Sequence, residues 1–266
     1  MTRPAIGDRG RDRAFGTALV AVFAAAAMVT LAQHASMDAM GDEPMPGGWT
    51  LSSAWLRPCG WGAGRAFAAF AGMWGAMTVT MMLPLLAPTL WRYRQSVGPL
   101  GAARSTGLVV VASAGYFAVW MALGAVTFAL GGTLTTAARL PALARAMPFT
   151  AGAVVLGAGV LQFSAWKARR LACCRHAAAG PHRSRAAAGA AWRHGVRTAM
   201  RCGACCGNLM AIALAAGMMD LRVMAAVTVA IAAERLAPAG ERVARLVGGI
   251  AIGGGLAMIA RAAGLV

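Results

Sequence analysis

STGLVVVASAGYFAVWMALGAVTFALG, Ser105–Gly131, runs for 27 residues without a charged side chain. Wound as a helix, about 20 mainly apolar residues match the ~30 Å hydrocarbon layer of a bilayer. This stretch has length to spare, and a helix that is apolar all round must be buried in protein or in lipid. It therefore predicts a transmembrane helix. Six further stretches repeat the pattern: Ala14–Ala32, Phe67–Trp91, Pro148–Trp166, Thr198–Met219, Val223–Leu236 and Val243–Leu265. Only Asp220–Arg222 separates Thr198–Met219 from Val223–Leu236, which predicts a tight helical hairpin there.

Composition agrees. The chain is 59% hydrophobic and 12% charged, against about 25% charged residues in ordinary soluble domains. The expected fold is all-α: one polytopic transmembrane bundle of about seven spans over residues 1–266. A basic start, an apolar run and small residues also describe a cleaved signal, which would leave six spans. At 19 residues the first run exceeds the ~7–15 of a signal core, so a retained helix is expected.

Basic residues exceed acidic ones by 25 to 8, for a net charge of +17. They concentrate in four places: Arg3, Arg9, Arg11 and Arg13; Arg92, Arg94 and Arg104; the acid-free loop 167–197; and Arg235, Arg242 and Arg245. With seven spans all four fall on one side, and cytoplasmic loops carry such an excess. The N-terminus is therefore expected inside a bacterial inner membrane. The charge reads as topology, and no nucleic-acid partner is expected. Two small-residue steps, Ala153 with Gly157 and Gly249 with Gly253, predict close helix packing.

The segment AMRCGACCGNLM, residues 199–210, sets three thiols within five positions. At about 100° per residue, Cys202, Cys205 and Cys206 fall within an arc of about 100°. Met210 extends the stripe by one turn. The cytoplasm is reducing, so crowded thiols there point to metal or redox chemistry. Arg197 and Arg201 favour thiolate, and Cys173, Cys174 and His176 on the same side extend the donor set. Thiolate with thioether selects Cu(I) first, and Zn(II) where four ligands assemble. The competing reading is that cysteine fills a small apolar space.

Methionine supplies two further candidate groups among 17 residues. Met73, Met77 and Met81 recur every fourth position beside Met82, a ridge leading to Pro84, where a helix bends or loses a backbone bond. Core packing explains such a ridge as well as soft-ion binding does. In QHASMDAMGDEPM, His34, Met37, Met40 and Met45 sit in a polar stretch expected to be a mobile outer loop, suited to capturing Cu(I).

Three segments carry a family resemblance: MWGAMTVTMMLPLLAP (73–88), KARRLACCR (167–175) and GACCGNLMAIALAAGMMDLRVMAAVTVAIAAERLAP (203–238). Together they resemble a family of bacterial integral membrane proteins described as predicted metal-binding, of unknown function. The matching positions are Trp74, Met77, Met81, Met82 and Pro84; Cys173 or Cys174; Cys205, Cys206, Leu209, Met210, Gly217 and Met219; and Glu234. Arg235 stands where the family has lysine, Gly207 where an aromatic is common, and a proline is missing after Arg175.

The function expected is soft-metal, copper-like binding or handling, as a chaperone or transport component. The bilayer and a metal donor or acceptor protein are the expected partners. A thiol-redox membrane protein and a scaffold subunit are the alternatives. No enzyme is expected: no P-loop is present, and the four histidines have no acid beside them.

Overall fold

A computed structural model describes residues 6–38, 43–45, 49–51, 62–97, 102–137, 140–177, 187–217 and 220–265. The elements are α1 (Ile6–Asp38), β1 (Glu43–Met45), β2 (Trp49–Leu51), α2 (Ala63–Ser96), α3 (Ala102–Ala137), α4 (Pro141–Leu161), α5 (Ala165–Ala177), α6 (Ala188–Gly217), α7 (Leu221–Leu236) and α8 (Gly240–Ala262). Strands β1 and β2 pair antiparallel in a small hairpin, and every other described element is a helix.

Among the described residues, six helices are long and apolar enough to cross a membrane: α1, α2, α3, α4, α6 and α8. The expected sixth span is α7, with 16 residues. At 1.5 Å per residue it is about 24 Å long, shorter than a bilayer core. Its hairpin with α6 forms as expected. Gly217 ends α6 at a φ of 122°, a conformation open to glycine. Asp220 caps α7 by accepting from the backbone N–H of Arg222 at 2.7 Å.

Several boundaries differ from the hydropathy pattern. The first helix continues through His34 to Asp38, so His34 and Met37 belong to α1 instead of a loop. Helix α4 starts at Pro141, which pre-sets the first-turn φ, and carries Pro148 inside it. The expected span 148–166 is broken at Gln162–Ser164, after which α5 begins. The loop 167–197 is in its described part largely helical, comprising α5 and the first ten residues of α6. Neither Pro84 nor Pro88 interrupts α2. Both are exposed, so the missing N–H bonds fall on the outer face of the helix.

The core lies where α2, α3, α6 and α7 meet. Glycines bring α3 and α6 into backbone contact: a Cβ on Gly195 would collide with the Ala112 carbonyl, and one on Gly115 would stand 2.6 Å from the Trp192 carbonyl. Helices α4 and α8 approach through Gly152 with Gly255 and Gly159 with Gly248. This corrects the expected packing step. Gly157, Gly249 and Gly253 have nothing within 4 Å of a built Cβ. The contacting glycines are seven residues apart, two turns, and the i,i+4 steps beside them face outward.

Candidate metal centre

The three clustered thiols lie mid-way along α6 and all are buried. An arc of 100° is wide enough to straddle two grooves, and it does. Cys202 and Cys206 turn into the core shared with α2 and α3, and Cys205 turns toward α5 and α8, packing with Leu171, Cys174 and Ala244. The sulfurs of Cys202 and Cys206 are 3.8 Å apart. The Cys206 thiol also donates to the Cys202 carbonyl one turn back, at 3.0 Å.

Cys202 accepts two hydrogen bonds, from the Tyr116 hydroxyl and from Arg235 Nη1, both at 3.2 Å. Tyr116 reaches it because Gly195, two turns before Cys202, lets the α3 backbone close on α6. Arg235 reaches it from the last turn of α7. A cation and a hydroxyl from two other helices thus converge on one sulfur.

The second thiol pair is Cys205 with Cys174. The Cys174 thiol donates to the Arg201 carbonyl at 3.2 Å. Its pKa is held below the ordinary thiol value, first by a hydrogen bond from Cys205; burial opposes this and the Arg235 charge assists it. The adjacent Cys173 is exposed.

Below the thiols is a buried polar knot. Lys167 Nζ contacts Glu234 Oε2 at 2.8 Å, with side chains 1% and 2% exposed. Lys167 also donates to the Cys205 carbonyl at 2.7 Å and to Asn208 Oδ1 at 3.2 Å. Gln162 Nε2 donates to Glu234 Oε1 at 2.6 Å. The knot joins the end of α4, the start of α5, the middle of α6 and the end of α7, the elements that carry the thiols and Arg235.

Met73, Met77, Met81, Met82 and Met210 are buried in the same core cluster as Cys202 and Cys206. The donor ridges of α2 and α6 thus line one interior. His34 is half-buried on α1, which packs along α2 through Phe15 on Trp91 and an Asp12–Arg94 ion pair at 3.5 Å. Met40, Cys59, Met219 and the side chains of Met37, Met45 and His176 lie outside the described residues. Among the described residues, no three of His, Cys, Asp and Glu gather closely enough to hold one ion. What gathers is two thiol pairs.

Sequence reasoning did not single out Tyr116, Lys167, Gln162 or Asn208, and took Arg235 as a topology marker. One signal was available: Glu234 and Arg235 interrupt the apolar run from Val223, and charges in such a run need buried partners.

The profile of one protein family, described as PpoB2, copper chaperone, matches residues 71–258. That range takes in α2 from Ala71 through most of α8, including both thiol pairs. No curated protein and no solved structure matches the chain.

Proposed function

The chain belongs to the PpoB2 copper-chaperone family, and on that premise we propose that it is a bacterial inner-membrane protein that carries Cu(I) as cargo on paired thiols and passes it to another protein without enzymatic turnover. The observation that carries this reading is the Cys202–Cys206 pair, 3.8 Å apart, with Tyr116 and Arg235 donating to Cys202. Two thiolates suit Cu(I), a soft ion that accepts low coordination, and the guanidinium balances the negative charge of the bis-thiolate complex. Zn(II) asks for four ligands. The thioethers of Met77, Met81 and Met210 in the same core supply soft neutral donors. Cys174 and Cys205, with Cys173 exposed beside them, supply a second pair nearer the surface.

The six long apolar helices support membrane insertion. With α7 as a short seventh limb, the N-terminus lies inside and the thiols lie toward the cytoplasmic end.

The test is the copper content of the detergent-purified protein, handled under reducing conditions and read by elemental mass spectrometry. Wild type is expected to hold near-stoichiometric copper, the C202S/C206S variant to lose it, and the C174S/C205S variant to retain it. A folded wild type without copper overturns the reading in favour of thiol redox chemistry or a scaffold.

A further inference from the structure

The thiols among the described residues are graded from surface to core. Cys173 on α5 is exposed, Cys174 beside it is 7% exposed, and Cys205, Cys202 and Cys206 are at 1%, 2% and 1%. Each stands next to the one that follows it. Cys173 and Cys174 are chain neighbours, and Cys205 donates a hydrogen bond to Cys174. Cys205 is one turn of α6 from Cys202, and residues three apart on a helix have Cβ atoms about 5–6 Å apart. The sulfurs of Cys202 and Cys206 are 3.8 Å apart. Two thiol pairs in separate grooves are therefore joined across a single turn of α6.

The outer end of this series is open. Arg169 and Arg170 are exposed on α5, four and three positions before Cys173, and so share its helical face. Arg170 lies over the Trp166 ring, 5.4 Å from its centroid. Charged side chains are costly in hydrocarbon, and tryptophan collects at its edge. The face that carries Cys173 therefore meets headgroups or water. The inner end is closed and better furnished. Arg235 donates to Cys202, and its charge acts on Cys174 and Cys205 as well, so one cation stands beside both pairs. The inner pair adds the Tyr116 hydroxyl, donating to Cys202.

We propose that Cys173, Cys174 and Cys205 are the exchange route of the copper site: Cu(I) enters and leaves through them and rests on Cys202 and Cys206. The route rests on the copper reading given above. Each step along it is a ligand exchange, from Cys174 with Cys205, to Cys205 with Cys202, to Cys202 with Cys206. The receiving sulfur bonds to the ion before the released sulfur lets go, and the receiving thiol's proton passes to the released thiolate. The metal stays Cu(I), and no electron is transferred. An ion held by two soft sulfurs has room for a third, and a tethered thiol replaces a bimolecular attack by an intramolecular one. The pair with the guanidinium and the hydroxyl at hand is where the ion settles. The pair one turn away, beside an exposed thiol, is where it is handed over.

The test separates holding copper from exchanging it. The full chain in phosphatidylcholine nanodiscs is loaded with Cu(I), and release to excess sulfonated bathocuproine is followed by absorbance. Wild type, C173S and C174S/C205S are expected to start with equal copper. Both variants are expected to release it at least about tenfold more slowly than wild type, because the bulky chelator must then wait for a local opening of the buried pair. Either variant releasing at the wild-type rate overturns the proposal. So does a folded C174S/C205S that starts without copper, which would make those thiols part of the resting site. C173S alters an exposed side chain and carries the test even where the double variant does not fold. The two failures are distinguishable. A wild type that takes up no copper sinks the copper reading and this route together, whereas a loaded wild type with unchanged variant rates sinks the route alone.

Discussion

At Cys202 two donors from different helices converge on one sulfur. A hydrogen bond from a charged donor is worth roughly 1.5–3 kcal/mol, so R235M is expected to weaken Cu(I) retention about 10- to 100-fold. Competition against a sulfonated bathocuproine chelator measures it. Lysine at 235 restores the charge without the planar fork and is expected to fall between the two. Equal retention by wild type and R235M would remove Arg235 from the site. Gly195 acts at the same scale by a different means: its missing side chain lets α3 close on α6 and so brings Tyr116 to Cys202. An added methyl forces the helices apart, an overpacking cost of about 1–3 kcal/mol. G195A is expected to lower the unfolding midpoint in detergent and to shed copper more readily.

Helix α7 is held against its neighbours by a buried ion pair. Breaking such a pair from one side leaves an uncompensated charge and costs about 3–5 kcal/mol, whereas replacing both partners by apolar residues is often neutral. K167M and E234L are each expected to lower thermal stability sharply, and the K167M/E234L double variant to recover most of it. A double variant as unstable as the worse single one would mean that Gln162 and Asn208 depend on the charges themselves. The α4–α8 contact gives a register test one residue wide. G248V places a branched side chain against Gln162, Phe163 and the Gly159 carbonyl, while G249V points into open space. The first is expected to destabilise the bundle and the second to leave it unchanged, judged by unfolding midpoints in one detergent.

For the whole molecule, α7 decides the parity. Six crossings return the C-terminus to the side of the N-terminus, and seven place it opposite. Because α7 runs back from Gly217 until Glu234 and Arg235 reach the level of Lys167 and Cys202, seven crossings are expected. A C-terminal alkaline phosphatase fusion is then active and a green fluorescent protein fusion dark; the reverse pattern would make α7 a re-entrant limb. The exposed arginines at the starts of α3 and α8, the end of α2, on α5 and on the first half of α6 put the positive end beside the thiols.

Helices, their approximate number and the basic end were legible from sequence because each depends on local quantities: uninterrupted apolar length, and where arginines are affordable near lipid. The spacing of Cys202, Cys205 and Cys206 likewise marked one stripe of α6. Tertiary structure alone decided how that stripe is divided. Spacing reports angle about a helix axis, and only the neighbours show where one groove ends and the next begins. That is why Cys205 joins Cys174, why Cys202 meets Tyr116 and Arg235, and why the packing glycines sit one or two positions away from the i,i+4 steps. Lys167 is the clearest case: after an apolar run it reads as a solvated cytoplasmic charge, and in the fold it is buried, because Glu234, 67 positions later in the chain, arrives to neutralise it.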